Sequence, residues 1–208
     1  LSLYCDKERK YVPFNLIKDY PIPMTNISLI NKLGEYIRKY GCLKVKKTNM
    51  PSKSINFSLD ETFETPFKNI KTVLQIKNET FNEENTYHFK SMGNYIGEKI
   101  INWSDKECDG YNKPKIILAH KMYGLPFLDL KGEYGISNRD NYIIYDYSIE
   151  NLERIMAFLS LPIIINIYDS MRYRMRYLEK YPFQYIPDIT KMGDLDSLVK
   201  DICFSLKI

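Results

Sequence analysis

The residues whose types and order could do chemistry are three carboxylates, Asp60, Glu61 and Glu64, followed by Gln75-Ile-Lys77 on the apolar run Thr72-Val-Leu74. Magnesium-dependent nucleases use this order, with carboxylates holding the metal and a lysine assisting the attacking water. Glutamine is a weaker ligand than glutamate, and such short patterns arise readily in lysine-rich chains, so the nuclease ranks as the second reading. Histidine offers little more. His120 follows the apolar Ile116–Ala119 and reads as a hydrogen-bonded strand-end residue or as a contact to a phosphate or base edge, and His88 stands alone. The cysteines, at 5, 42, 108 and 203, lie far apart with no C-x-x-C pair, which excludes zinc-finger ligand spacing. Phosphate-loop, H-E-x-x-H and G-x-S-x-G motifs are all missing, which removes the main supports for triphosphatase, zincin and α/β-hydrolase readings. There is no Gly-x-Gly turn and no Pro-Pro, so the chain lacks both parts of an S-adenosylmethionine-dependent amino-methylating centre. No cofactor is expected within it.

What the chain offers in place of a catalytic motif is patterned positive charge. The net charge of +4 is mild, but its distribution is uneven. Between Lys32 and Lys53 the cations Lys32, Arg38, Lys39, Lys44, Lys46, Lys47 and Lys53 face only Glu35. Lys44, Lys46, Lys47 and Lys53, with Asn49, form a set suited to phosphate contacts. A second focus holds Arg172, Arg174, Arg176 and Lys180, interrupted by Glu179, and from it Arg172 and Arg176 would reach phosphates. Ser137-Asn-Arg-Asp-Asn141 gathers amides and an arginine on a Gly-preceded turn. Asn138, Arg139 and Asn141 are residue types that read adenine or guanine edges, and His120 and Lys121 are further candidate DNA contacts. The plainer alternative is a solvated helix face, a basic loop and an Asx turn closed by Arg139 with Asp140 or Glu133.

These residues need elements to position them. With 44% hydrophobic and 14% aromatic residues, 208 residues can bury a core. The longest apolar run, Leu159–Ile167, is interrupted by Pro162 and Asn166, so no membrane span is expected. No apolar signal-peptide core opens the chain, which points to an intracellular setting, cytoplasmic or nuclear, or to a virion. Leu1 stands where an initiator methionine would, as in a fragment or a processed product. Residues 1–25, rich in proline, read as an extended arm. Ile27, Ile30, Leu33 and Ile37 recur at helical spacing, capped by Thr25 or Asn26 and stopped by Gly41. Strands are expected at Cys42–Val45, Ile55–Leu59, Thr72–Ile76, Tyr87–Phe89, Lys115–Ala119 and Asn141–Tyr145, with a loop-rich insert at Met122–Asp140. Ser148 caps a helix to Leu159. Pro162 opens another that continues to Leu178, unless Arg172–Tyr177 forms a strand with its arginines on one face. A short helix from about Asp194 to Phe204 closes the chain. The fold class is α+β, a small, mostly antiparallel sheet with an N-terminal helix and a C-terminal helical pair, the domain spanning 26–190 and the last helix lying in 191–208.

The segment Lys113-Pro-Lys-Ile-Ile…Asn141-Tyr-Ile-Ile144, followed by Ile149–Leu161, Ile163–Leu178 and Tyr185-Ile-Pro-Asp-Ile189, resembles the target-recognition region of adenine-N6 DNA methyltransferases. That family includes type IIG restriction-modification enzymes and relatives in large DNA viruses. The resemblance spans residues 26–190, most clearly from Lys113 onward. It implies reading of double-stranded DNA by loops on a small sheet, with S-adenosylmethionine bound by a preceding catalytic domain or subunit. A protein-interaction or structural module derived from the same fold is a third reading.

Overall fold

The computed structural model describes residues 17, 19–77, 95–120, 126–173, 178–193 and 200. It is an α+β chain whose residues gather into two compact units: the chain up to Lys44 with that from Ile163 onward, and Val45–Pro162.

In the first unit, helix α1 (Ile27–Tyr40) buries Ile27, Ile30, Leu33 and Ile37, the stripe that its apolar spacing predicts, and Leu29 besides. Gly41, at φ 78°, ends it and returns its N–H to the Ile37 carbonyl. The start differs from expectation. Asn26 is left-handed and makes no side-chain cap; its Nδ2 donates to the Asn166 carbonyl at 2.9 Å. That carbonyl belongs to helix α3 (Pro162–Ser170), which ends eight residues short of the expected Leu178. Its last turn tightens: the Ser170 hydroxyl donates back to the Ile167 carbonyl at 2.7 Å, and the N–H groups of Met171 and Arg172 each reach three residues back. The proline-rich approach to α1 is tied down by two tyrosines, Tyr173 donating to the Ile22 carbonyl at 2.8 Å and Tyr185 to that of Pro21 at 3.0 Å. Residues 185–189 form the end of one 3-10 turn, Tyr181–Tyr185, and the start of another, Ile189–Lys191, with the Cys42↔Pro187 bridge between them.

The second unit is built from two four-stranded sheets. One runs β1 (Lys46–Lys47), β8 (Asn141–Ile144), β5 (Lys115–Ala119), β6 (Pro126–Asp129), all antiparallel. The other runs β2 (Phe57–Ser58), β4 (Tyr95–Ser104), β3 (Phe67–Lys77), β7 (Gly135–Ile136), with β3 and β7 parallel. Every residue of β5 and β8 is buried, so both faces of this sheet are covered. Ile117, Ala119 and Ile143 pack with Ile70, Val73 and Ile136 of the second sheet and with Tyr134, which leads into β7. Helix α2 (Ile149–Leu159) lies against β5 and β6 and buries Leu152, Ile155, Phe158 and Leu159. Ser148 caps it as expected, its Oγ accepting from the Asn151 N–H at 3.3 Å. The expected strands at Thr72–Ile76, Lys115–Ala119 and Asn141–Tyr145 all form, the first as part of a longer one. The Met122–Asp140 insert is not simply a loop, because β6 and β7 lie inside it. Gly135 is required there: a Cβ would collide with Asn69 Oδ1 and the Cys108 side chain, where β7 lies alongside β3.

The Tyr87–Phe89 strand and nearly all of the Asp194–Phe204 helix lie outside the described residues. Among the described residues, no single helix is long and apolar enough to cross a membrane.

Candidate nucleic-acid interface

Two lysines of the first basic focus, Lys46 and Lys47, lie on the strand beside the one that leaves the 137–141 turn, far from it in sequence. Strand β1 pairs with β8 so that Lys46 lies opposite Ile143 and Lys47 opposite Tyr142. Beyond it Thr48, itself buried, clamps the turn: its N–H donates to the Asn141 carbonyl at 3.0 Å and its hydroxyl to the Asn138 carbonyl at 2.7 Å. Lys47 and Asn49 flank this clamp in the chain, and both are exposed.

The turn divides its polar residues between structure and surface. Asn141 is fully buried, its Nδ2 donating to the carbonyls of Lys71 at 3.1 Å and Asn138 at 3.3 Å. It holds β8 to the second sheet and cannot also reach a base edge, which corrects its expected role. Asn138 is half-buried, and its Oδ1 accepts from the Asp140 N–H at 3.4 Å. Arg139 is exposed, and the ion pair expected to close the turn does not form, since Glu133 turns to Lys131 at 3.7 Å. His120 packs its ring 5.8 Å from that of Tyr142 and donates its backbone N–H to the Asp140 carbonyl at 2.9 Å, as a strand-end residue beside the turn.

Five lysines of this unit are seated on aromatic rings. Lys46 Nζ lies 5.6 Å and Lys113 Nζ 5.4 Å from the centroid of Tyr145, and Lys47 Nζ is 5.8 Å from that of Tyr142. A second series alternates cation and ring: Lys68 lies over Trp103 at 5.5 Å and Tyr134 at 5.2 Å, and Lys99 over Tyr134 at 5.4 Å and Phe127 at 4.9 Å. Contacts of this kind hold an ammonium in place without neutralising it. Among the described residues, Lys47, Lys68, Lys99 and Lys113 form no ion pair. Lys46 does, with Asp109 at 2.9 Å, and this hydrogen bond holds its ammonium above the ordinary lysine range. Sequence reading missed Lys68, Lys99 and Lys113. The available signal was strand alternation: Lys68 lies directly opposite Trp103 across β3 and β4.

The other expected contacts are dispersed. Lys53 is exposed in a turn where the Ser52 and Ser54 hydroxyls bond at 2.9 Å, and Lys44 is exposed in the other unit. Arg172, also in that unit, is largely covered and paired with Asp169 at 3.0 Å, so it is not offered to a phosphate. Lys121 and Arg176 lie outside the described residues.

The nuclease arrangement is not assembled. Phe57 and Phe67 both pair with Ser104, placing the intervening carboxylates Asp60, Glu61 and Glu64 at that end of the β3–β4 hairpin, whereas Lys77 pairs with Tyr95 at the other. Nine residues of β4 separate Tyr95 from Ser104, about 30 Å at about 3.3 Å per residue. Among the described residues, no group of His, Cys, Asp and Glu could hold a metal ion.

A buried ion pair stiffens the opposite end of the first sheet. Lys115 Nζ meets Asp129 Oδ2 at 2.6 Å, with side chains 0% and 2% exposed. Asp129 also accepts the N–H groups of Glu133 at 3.0 Å and Tyr134 at 3.1 Å, fixing the turn that presents Tyr134 to Lys68 and Lys99. Burial draws the Lys115 ammonium below the ordinary lysine range, and Asp129 partly restores it.

No family model, curated protein or solved structure matches the chain.

Proposed function

We propose that the chain is the sequence-reading part of an adenine-N6 DNA methyltransferase of restriction-modification or viral type, and that the Val45–Pro162 unit contacts double-stranded DNA. The observation that carries the reading is a set of ring-seated, unneutralised lysines, Lys47, Lys68, Lys99 and Lys113, in the same unit as the turn that exposes Arg139 beside the half-buried Asn138. Phosphate contacts from such lysines give affinity and register, and a guanidinium on a fixed turn supplies base readout.

The methyltransferase context rests on the resemblance of Lys113–Ile189 to target-recognition regions. The chain's own residues do not fit S-adenosylmethionine, because no Gly-x-Gly turn or Pro-Pro motif is available to hold the cofactor or the target amine. Methyl transfer therefore belongs to a catalytic domain or subunit that this chain would partner, in the cytoplasm, nucleus or virion where its DNA lies.

The test is binding to a panel of duplexes of varied sequence. Arg139→Ala is expected to flatten the preference among duplexes by about tenfold while changing the weakest affinities little, as loss of a contact worth about 1–3 kcal/mol would do. An equal loss on every duplex would assign Arg139 to phosphate and remove the sequence-reading role.

A further inference from the structure

The turn that carries Arg139 is closed by a residue from outside it. A four-residue turn commonly closes on itself, its fourth N–H donating to its first carbonyl. In Asn138–Asn141 those two groups are joined through Thr48: the Asn141 N–H donates to Thr48 Oγ1 at 3.3 Å, and that hydroxyl donates to the Asn138 carbonyl at 2.7 Å. Thr48 lies 93 residues from Asn141 in the chain and is 2% exposed, and its own N–H holds the Asn141 carbonyl at 3.0 Å. From the other side the His120 N–H, just past β5, holds the Asp140 carbonyl at 2.9 Å. The chain beyond β1 and the chain beyond β5 thus fix the turn between them.

This is more fixing than a connection between two strands requires. What it holds still is the base of one long side chain: Arg139 is exposed and, among the described residues, forms no ion pair. A guanidinium makes a bidentate contact to a base edge only from a narrow range of positions and angles, so the backbone beneath it has to be set in advance. Thr48 also stands between Lys47 and Asn49, both exposed, so the residue that closes the turn sets the separation between a phosphate-contacting ammonium and the guanidinium.

We infer that Thr48 is the residue that positions Arg139 for base reading, its hydroxyl acting in place of a direct turn bond and tying strand β1 to the reading turn. The inference rests on the DNA reading of this unit. Thr48 touches no base itself; it acts through Arg139. Asn141 enters the closure through its backbone N–H, so replacing the Asn141 side chain leaves the closure in place.

Thr48→Val keeps the shape of the side chain and removes the hydroxyl, whereas Thr48→Ser keeps the hydroxyl. Without DNA, amide hydrogen exchange reads the turn: in Thr48→Val the amides of residues 137–141 should exchange about tenfold faster or more, relative to those of Ile116–Leu118 in β5, which report the fold. On the panel of duplexes, Thr48→Val should narrow the spread of affinities by about fivefold or more, leave the weakest within about twofold, and have no effect in an Arg139→Ala background. Thr48→Ser should keep the wild-type spread. A Thr48→Val chain that keeps its spread while Arg139→Ala loses it, an effect of Thr48→Val that persists without Arg139, a Thr48→Ser chain as flat as Thr48→Val, or turn amides that exchange as in the wild type would each overturn the inference and leave the DNA reading standing. A wild-type chain with no spread of affinities, or a spread unaltered by Arg139→Ala, overturns the reading and the inference with it.

Discussion

Removing the carboxylate of the buried Lys115–Asp129 pair is a severe perturbation, and its size can be worked from the geometry. In Asp129→Ala the Lys115 ammonium stays at 0% exposure with the Lys113 carbonyl, at 3.1 Å, as its remaining partner. The N–H groups of Glu133 and Tyr134 lose their acceptor as well. Stranding one member of a buried pair costs about 3–5 kcal/mol, against about 5–15 kcal/mol for a whole domain. Lys115→Met is milder, because the carboxylate left behind keeps both backbone donors; a cost of about 1–3 kcal/mol is expected. The double variant Lys115→Met with Asp129→Asn should cost less than the sum of its parts by about 1 kcal/mol or more, the mark of direct coupling. Urea unfolding followed by the fluorescence of Trp103, the single tryptophan and in the same unit, reads all of these. Lys115 also has a pH signature of definite sign. Its folded value lies below the unfolded one, so the unfolded chain holds the proton more tightly, and this group's contribution to stability rises with pH from its lowered value up to about 10.4. Lys115→Met should flatten that rise. Additive single variants, or an Asp129→Ala chain within about 1 kcal/mol of wild type, would refute the account of a dry, tightly coupled pair.

Two further predictions concern buried polar groups. Tyr168 is fully buried, and among the described residues its hydroxyl meets no hydrogen-bond partner, while burial pushes its pKa far above the ordinary tyrosine range and pushes that of Tyr185 up to about 12. Both are raised in the folded state, so their stabilising effect is intact below about pH 10 and is lost as pH climbs beyond it. Tyr168→Phe should add about 1 kcal/mol at neutral pH and soften the alkaline loss, as thermal unfolding across pH would register; a destabilised variant would mean that the hydroxyl is satisfied. Asn141→Ala should cost about 1–3 kcal/mol, because the Lys71 and Asn138 carbonyls lose a donor, while leaving sequence preference unchanged in the folded fraction. A change of preference without loss of stability would return Asn141 to the reading surface.

Elements governed by local chemistry were legible in the sequence. Ser148 and the apolar spacing behind it define α2, Gly41 ends α1, and the continuous apolar runs at Lys115–Ala119 and Asn141–Ile144 form strands buried on both faces. What depends on distant partners was not. Two adjacent lysines carry no strand pattern, and β1 exists because β8 lies beside them. The glycines of the Met122–Asp140 insert suggested a loop, whereas Gly135 serves close packing of β7 on β3. Asn141 looked like a base reader, since its residue type says nothing of the Lys71 carbonyl that occupies it. No spacing rule links Lys115 to Asp129. In the candidate interface, the lysines beside the 137–141 turn were visible as a charge run, but Lys68 and Lys99 emerge only when the strands place them over rings.

The central claim is that this unit binds double-stranded DNA through its ring-seated lysines, and the salt dependence of duplex affinity tests it most directly. Lys47, Lys68, Lys99 and Lys113, if each neutralises one phosphate, give a slope of log affinity against log salt of about −3.6, at about −0.9 per contact. Replacing Lys47 and Lys99 with alanine together should reduce the steepness by about 2 and weaken binding on all sequences alike. Absence of binding at low salt, or a slope unchanged by the double replacement, would contradict the account.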